Sequence, residues 1–517
     1  MPLPSPSQRT SNATAKHRSG PLSQPGPAYL IGIGGWGMAG LARLLHARGG
    51  RVTGTDAVGS DTTRALTEAG VEVHTGQPPA VIPGQPGVVV ASAAIKPDHP
   101  LMLDALERGI PTLTYAEALG EAMAASTGVA VAGTHGKSTT TAMLAATATE
   151  AGLDPTVIVG AACPGLPDPA GGPSGVRIGA AATPTGVFNG RAGLLLAEAC
   201  EFNRSFHHLR PRVACITAIE ADHLDIYGSL DAVIEAFHGF ASLLPEDAED
   251  PAEAGRLLIG HDNAHRREVA RGLRCRVETI GFNPAADWHV QFDPQAARVR
   301  IVHRGRAVAE FRSPMPGEHS AMNAATAFVL ADWLGAERTV AVRALAGFPG
   351  VHRRLERLGD RPLPGGGAVT VYDDYGHHPT EVELTLRAIR AHERVDQQGR
   401  RLICVFQPHQ HSRTRFLLDE FASAFEHADV VIVPNIYFVR DSEAEKHRVS
   451  ARDLVDRLRD RGKRAMHLYP FDAIVEQLET GSRPGDVVVV MGAGPVWQVA
   501  HAFLETPAIT ARPEAVG

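Results

Sequence analysis

The sequence predicts an α/β protein of three domains, and three observations carry the prediction. Two stretches, residues 28–47 and 129–150, read as a strand, a glycine-rich turn and a helix, the unit from which open parallel sheets are assembled. Hydrophobic residues make up 44% of the chain, aromatics only 5%, and 53 residues are glycine, which suits a packed α/β protein rather than a disordered or fibrous one. The length of 517 residues, at about 100 to 200 residues per domain, allows about three.

The net charge is -7, and no basic run is interleaved with aromatics, so a nucleic-acid binder is not expected. The five cysteines, Cys163, Cys200, Cys215, Cys275 and Cys404, are scattered and form no C-x-x-C pair. Neither a disulfide framework nor a zinc ribbon fits them, and a reducing cytoplasm does. No apolar stretch approaches the length of about 20 residues that spans a bilayer, and the first residues lack the layout of a signal peptide.

Residues 1–27 are mostly small, polar or proline and cannot bury enough surface to offset ordering entropy, so a disordered tail is expected. Next comes a strand into Gly32-Ile33-Gly34-Gly35-Trp36-Gly37, a helix at 38–47 and a second strand ending at Asp56. This is the Gly-x-Gly-x-x-Gly layout of a Rossmann unit, with an acid about 20 positions on, where a ribose is held. Alone it suggests NAD or FAD, yet its glycines can hold any pyrophosphate, and no hydride-transfer site follows. Residues 88–95 and 110–114 continue this domain as strands.

A second glycine-rich turn, Gly133-Thr134-His135-Gly136-Lys137-Ser138-Thr139, follows an apolar strand and opens a helix at 139–150. Backbone N–H groups close on phosphate oxygens at such a helix N-terminus, Lys137 adds positive charge and the Ser138 hydroxyl can ligate Mg²⁺. ATP or GTP is the expected ligand. The general phosphate-loop pattern fails at its first glycine, where Val131 stands. A plain strand–helix turn is the alternative, but such a turn needs no Lys-Ser.

Residues 162–190 read as a long loop or hairpin, and strands resume at 192–196 and 213–217. Each runs into acid or imidazole: Glu198 and Glu201 after the first, then Glu220, Asp222, His223 and Asp225. In an open parallel sheet the ligand crevice lies at the carboxyl ends of strands, so these side chains are expected to face the phosphate loop, where oxygen ligands suit Mg²⁺. Further on, Asn323 in Gly317-Glu318-His319-Ser320-Ala321-Met322-Asn323 has an amide that suits an adenine edge, with helix capping as the rival role. The third domain carries Arg353-Arg354, then Tyr372-Asp373-Asp374-Tyr375-Gly376-His377-His378-Pro379, then Gln407-Pro408-His409 with Ser412-Arg413-Thr414. The guanidinium of Arg413 offers a fork for a small carboxylate, and a nearby imidazole can position or deprotonate an amine. His377, His378, His409 and His411 lack the usual spacings of structural zinc. Strands at 430–433 and 487–490 complete the domain.

Taken in order, these motifs resemble the Mur ligase family, ATP-dependent amide-forming enzymes of peptidoglycan synthesis, from Gly32 to Gly494. The resemblance implies a Rossmann-like N-terminal domain at 28–119, a central P-loop ATPase-type α/β domain at 120–334 and a Rossmann-like C-terminal domain at 335–505, with tails at 1–27 and 506–517. It implies binding of a UDP sugar, UDP-N-acetylmuramate, at Gly32, Gly34, Gly35, Trp36, Gly37, Asp56 and Ser92. ATP is expected at Gly133, Thr134, His135, Gly136, Lys137, Ser138, Thr139, Asn323, Arg354 and Asp374. Mg²⁺ is expected at Ser138, Glu198 and His223, and the amino acid L-alanine at Tyr375, His377, His378, His409 and Arg413. Lys137, Glu198, His223, His377 and Arg413 are the implied catalytic residues. Cys200, Asn203, Ala218, Ser320 and Gln410 depart from the family pattern. The expected reaction is ATP-driven joining of L-alanine to the sugar's carboxylate in the cytoplasm. The alternatives are attachment of a preformed peptide to the same sugar, a non-catalytic nucleotide sensor, and an NAD-dependent oxidoreductase.

Overall fold

The computed structural model describes residues 20–22, 25–167, 173–313, 315–439 and 441–505. Both expected tails fall largely outside these residues. Three sheets organise the chain. In the first, five parallel strands lie in the order Glu72–Thr75, Val52–Asp56, Ala28–Ile31, Val88–Ala91 and Thr112–Thr114. The strand order reverses between Ala28–Ile31 and Val88–Ala91, so the crevice of this sheet opens above those two strands.

The second sheet has ten strands. Thr127–Ala132 lies at its middle, parallel to Val213–Ile216 on one side and Leu194–Glu198 on the other. Arg256–Gly260, Arg276–Gly281 and Trp288–Asp293 extend it in parallel, and Arg298–His303 and Arg306–Arg312 close that edge as an antiparallel meander. At the opposite edge Thr156–Pro167 pairs antiparallel with Pro173–Arg177. In the third sheet Glu356–Pro362 is an antiparallel edge, followed by parallel strands Ala368–Asp374, Val487–Met491, Leu402–Phe406, Val430–Val433 and Arg464–His467. Three α/β units of mostly parallel sheet are thus the architecture expected from the sequence. Among the described residues no helix is long and apolar enough to cross a membrane.

Local boundaries move where turn chemistry outweighs apolar pattern. The strand expected at 88–95 stops at Ala91, because Ile95 N–H folds back onto the Ser92 carbonyl at 3.0 Å. The helix expected from 139 begins at Lys137, and the one expected from 38 begins at Trp36. In both cases a glycine carbonyl accepts the first helical bond, Gly136 from Thr140 N and Gly35 from Ala39 N. Glu198 is the last residue of its strand rather than lying beyond it, and pairs with Val131.

Packing sets how rigidly the phosphate loop is held. The helices Lys137–Glu150 and Glu318–Leu334 lie against each other through small buried side chains, Ala142, Ala145 and Ala148 on one and Ala321, Ala324 and Ala325 on the other. Small residues let two helix backbones approach closely. At Gly136, whose φ of 82° is left-handed, a Cβ would lie 2.5 Å from Asn323 Oδ1. One buried apolar cluster runs without a break from Val129 and Leu196 in the central sheet to Phe406 and Val489 in the third. A second joins the first sheet to the other face of the central one.

Candidate active site

The phosphate loop is bolted to the end of the neighbouring strand. Thr134 N donates to the Ala218 carbonyl at 2.8 Å, Glu220 N donates to Thr134 Oγ1 at 2.9 Å, and Thr217 Oγ1 donates to the His135 carbonyl. Gly133, at φ 132°, has no room for a Cβ beside Thr217. Lys137 Nζ donates to the carbonyls of Gly133 (2.5 Å) and Thr134 (3.1 Å) and pairs with Glu201 Oε2 at 2.9 Å. Burial works to deprotonate Lys137, but Glu201 outweighs it and raises its pKa, so the charge stays.

Glu198 Oε2 accepts the Gly160 N–H at 2.6 Å, while its Oε1 is buried and without a hydrogen-bond partner. His223 sits at φ 53°, which turns its imidazole back toward Glu201 (3.9 Å) and Asp222 (3.7 Å). Burial lowers the His223 pKa, Asp222 working the other way, so the ring is neutral with a lone pair to give. The donor atoms of Glu201, Asp222 and His223 lie within 4.8 Å of one another. Glu198 Oε1 and His223 Nδ1 are buried without a hydrogen-bond partner, and with the carboxylates of Glu201 and Asp222 they give an oxygen-rich, partly unsatisfied set, which fits a hard divalent cation. Of the sequence-expected set of Ser138, Glu198 and His223, only His223 belongs to this close cluster, which is completed by Glu201 and Asp222. Both stood in the acidic runs after the strands. Nothing in the sequence told which of those acids turn inward.

The third sheet meets this region from across the joint. Arg354 Nη2 donates to Ser138 Oγ at 3.4 Å. Arg353 and Arg354 hold their guanidiniums 5.0 and 4.8 Å from the Tyr375 ring centroid. Tyr375, His377, His409 and Tyr437 form a row of edge-on and tilted rings, with centroids 5.5, 5.8 and 5.7 Å apart. Tyr437 was not among the expected site residues. Burial takes the His377 pKa down to about 3, with Glu381 opposing, so this imidazole is neutral and has a lone pair that accepts hydrogen bonds but holds a proton weakly. Asp374 is spent on the backbone, since its two oxygens accept the N–H groups of Leu355 and Gly376, both at 2.7 Å. Its neighbour Asp373 is fully buried beside Arg353 (3.3 Å), and burial lifts it to about 7. Arg413 has its Nε and Nη2 on Asp222 Oδ1, both at 3.0 Å. The fork expected to face a small carboxylate is thus engaged by one of the protein's own. Asn323 Oδ1 accepts from Thr140 Oγ1 at 3.2 Å, a bond that braces the phosphate-loop helix.

In the first sheet the glycine loop, Asp56 and Ser92 converge. Gly34 N donates to Asp56 Oδ2 at 2.8 Å. A Cβ on Gly32 would lie 2.6 Å from Ser92 Oγ, and one on Gly37 2.6 Å from the Tyr115 ring. Trp36 is 39% exposed on the rim. A cleft of about 590 Å³ elsewhere, lined by Arg276, Glu278, His289 and Arg304, shares none of these residues.

His319, at the start of the Glu318–Leu334 helix, is held neutral: burial first, then Arg387, lowers it to about 4, Glu381 opposing. The folded pKa lies below the ordinary 6.5, so the unfolded chain takes up the proton first. Stability is therefore full above about pH 6.5 and falls as pH drops toward 4. The term is of the order of 1 to 3 kcal/mol. Denaturant midpoints against pH for wild type and His319→Gln are expected to diverge over that window. Parallel curves would refute this assignment.

Sequence comparisons identify a family, and solved structures share the fold. The model of the Mur ligase family, catalytic domain, matches residues 27–127, that of the Mur ligase middle domain 131–331, and that of the Mur ligase, glutamate ligase domain, 353–494. UDP-N-acetylmuramate–L-alanine ligase of Caldanaerobacter subterraneus subsp. tengcongensis is 36% identical over 482 residues, 92% of this chain and 97% of that protein. The enzyme of the same name from Kineococcus radiotolerans is 38% identical over 487 residues, 92% and 95% of the two chains. Among solved structures, UDP-N-acetylmuramate-alanine ligase from Thermotoga maritima superposes with a TM-score of 0.70 at 23% identity, covering 93% of this chain and 98% of that one. A murein peptide ligase from Psychrobacter arcticus superposes at 0.66 and 23%, covering 93% and 100%.

Proposed function

We propose a reaction from the premise that this chain belongs to the Mur ligase family: it joins L-alanine to the carboxylate of UDP-N-acetylmuramate, with ATP cleaved to ADP and phosphate, in cytoplasmic peptidoglycan precursor synthesis. The observation that carries this reading is the identity of 36 to 38% along nine-tenths of the chain with ligases of that name. The geometry supports it, because a charged phosphate loop and a row of aromatic and imidazole rings meet across one joint.

In this reading residues 28–119 hold the UDP sugar, 120–334 hold ATP and 335–505 hold the amino acid. The sugar's carboxylate attacks the γ-phosphate of ATP, and the alanine amine then displaces phosphate from the acyl phosphate. Lys137, kept charged by Glu201, stabilises the phosphoryl group in transfer. The neutral His377, beside His409 and Tyr375, positions the amine by accepting a hydrogen bond from it. Ser138, Glu198 and His223, with Glu201 and Asp222, are the residues that would hold Mg²⁺. Its chemistry there is neutralisation of phosphate charge. Closure of the third sheet on the second keeps water from the acyl phosphate. The glycine loop, with Asp56 tied to its backbone, receives the pyrophosphate of the sugar nucleotide.

Phosphate release from ATP tests the proposal. It is expected only when UDP-N-acetylmuramate and L-alanine are both present. Release with a tripeptide acceptor but not with L-alanine would transfer the reading to the peptide-attaching ligase. Release of neither kind, with ATP still bound, would favour the nucleotide sensor.

A further inference from the structure

At the joint between the second and third sheets, two imidazoles and a carboxylate each turn one donor atom toward the same point. His135 comes from the phosphate loop, Glu220 from the segment after the Val213–Ile216 strand, and His378 from the N-terminus of the Pro379–His392 helix. Glu220 Oε2 lies 3.4 Å from His135 Nε2 and 3.7 Å from His378 Nδ1. One donor atom from each of the three residues lies within 4.8 Å of the other two.

The outer face of each ring has its own partner, which decides the tautomer. His378 Nε2 is 3.2 Å from the Ala221 carbonyl, so that nitrogen carries the proton, and the lone pair on Nδ1, which faces Glu220, accepts the Thr380 N–H at 3.3 Å, a long bond that a bound cation would replace. His135 Nδ1 lies 3.2 Å from Glu381 Oε1, so the proton belongs there and Nε2 faces Glu220 with its lone pair once the ring is neutral. An imidazole fixed from behind by a carbonyl or carboxylate is the arrangement that holds metal-ligating histidines. Thr380 Oγ1 donates to Glu220 Oε2 at 2.5 Å and orients the carboxylate from the same helix. The two imidazoles are mostly buried, while the Glu220 side chain is 36% exposed, which leaves an entry path.

We propose that His135, Glu220 and His378 form a binding site for a borderline divalent cation of the Zn²⁺ class, separate from the Mg²⁺ centre. Two nitrogens and one carboxylate with an open fourth position suit Zn²⁺, whereas Mg²⁺ prefers oxygen ligands throughout. Donor atoms 3.4 and 3.7 Å apart are near the edge of a tetrahedron with ligands at about 2.0 to 2.2 Å. Binding displaces the proton that Glu220 and Glu381 otherwise stabilise on His135, where they outweigh burial. The ligands come from both sides of the joint, so a bound ion ties the phosphate loop to the third sheet and holds the joint shut. That consequence rests on the ligase reading, in which the joint opens between turnovers; the binding itself does not.

The test uses the full chain, stripped by chelator dialysis and equilibrated with Zn²⁺ in excess Mg²⁺ at about pH 8, where protons compete less for the ligands. Metal per chain is counted, and Co²⁺ is substituted to read the coordination from its absorption. One Zn²⁺ per chain is expected, with a tetrahedral Co²⁺ spectrum and a raised melting temperature. Glu220→Gln and His378→Gln are each expected to weaken binding about tenfold or more, and His223→Gln to leave it intact. Melting of the metal-free variants shows whether they fold. If His378→Gln does not, Glu220→Gln carries the test alone. The proposal is overturned if no Zn²⁺ binds, if Glu220→Gln binds it as tightly as wild type, or if His223→Gln abolishes binding, which would assign the ion to the Glu201–Asp222–His223 cluster. Because binding is read without nucleotide or sugar, failure of the ligase reading and failure of this proposal are separable.

Discussion

Phosphate release falls by about 10²-fold or more in Glu198→Gln and in Lys137→Ala, the expected loss when a preorganised charge at a transferring phosphoryl group is removed. The two substitutions differ in what they leave behind. Glutamine at 198 can still accept the Gly160 N–H that Glu198 Oε2 takes at 2.6 Å, so the fold is kept and only the charge goes. Alanine at 137 leaves Glu201, 5% exposed and paired to Lys137 at 2.9 Å, without its cation. A fall in melting temperature is therefore expected for Lys137→Ala and not for Glu198→Gln. Comparing turnover with thermal melting separates chemistry from folding. Near-normal turnover in Glu198→Gln would remove Glu198 from the phosphate site.

Loss of Arg413 is expected to cost about 3 to 5 kcal/mol of stability, because truncating one member of a buried pair strands the other charge. Its partner Asp222 is 9% exposed and touches Arg413 at 3.0 Å. Burial works to raise the Asp222 carboxyl, but the Arg413 guanidinium holds it far below the ordinary range. For a depressed carboxylate the stabilisation is present above the unfolded value near 3.8 and is lost as pH falls below it. Arg413→Ala is therefore expected to melt earlier at neutral pH and to show a flatter acid limb.

Kinetics then divide two roles. Since the pair spans the second and third sheets, its loss loosens the joint and raises the KM values of ATP, UDP sugar and L-alanine together. A rise confined to L-alanine would mean that Arg413 leaves Asp222 for the substrate carboxylate. The double variant Asp222→Asn with Arg413→Gln is expected to recover much of the stability, as neither charge is left buried alone. If Arg413→Ala melts like wild type, the buried pair is not stabilising the joint.

How much of this was legible before the structure varies with distance along the chain. The two glycine loops were readable because their chemistry is local: a left-handed glycine, a helix start and a lysine lie within a few residues of one another. The motif order could be read for the same reason, and it led to the family. The chemistry that suits Arg413 to a substrate carboxylate is equally served by Asp222, 191 residues away. Asp374 read as a ligand contact from its motif, whereas its oxygens close the Leu355 and Gly376 backbone.

By itself the sequence determined the three α/β units, the two phosphate-type loops and the strand ends where acids and imidazoles gather, since apolar periodicity and turn residues act over spans of a few residues. Only the tertiary structure decided which of those acids face which ring. Glu201 and Asp222 rather than Ser138 crowd His223, and Glu220 meets His135 and His378. The physical reason is that a side chain's direction depends on backbone angles such as the 53° φ of His223 and on how the second and third sheets dock. Those are settled by the shared apolar core between Val129 and Val489, which no local stretch of sequence contains.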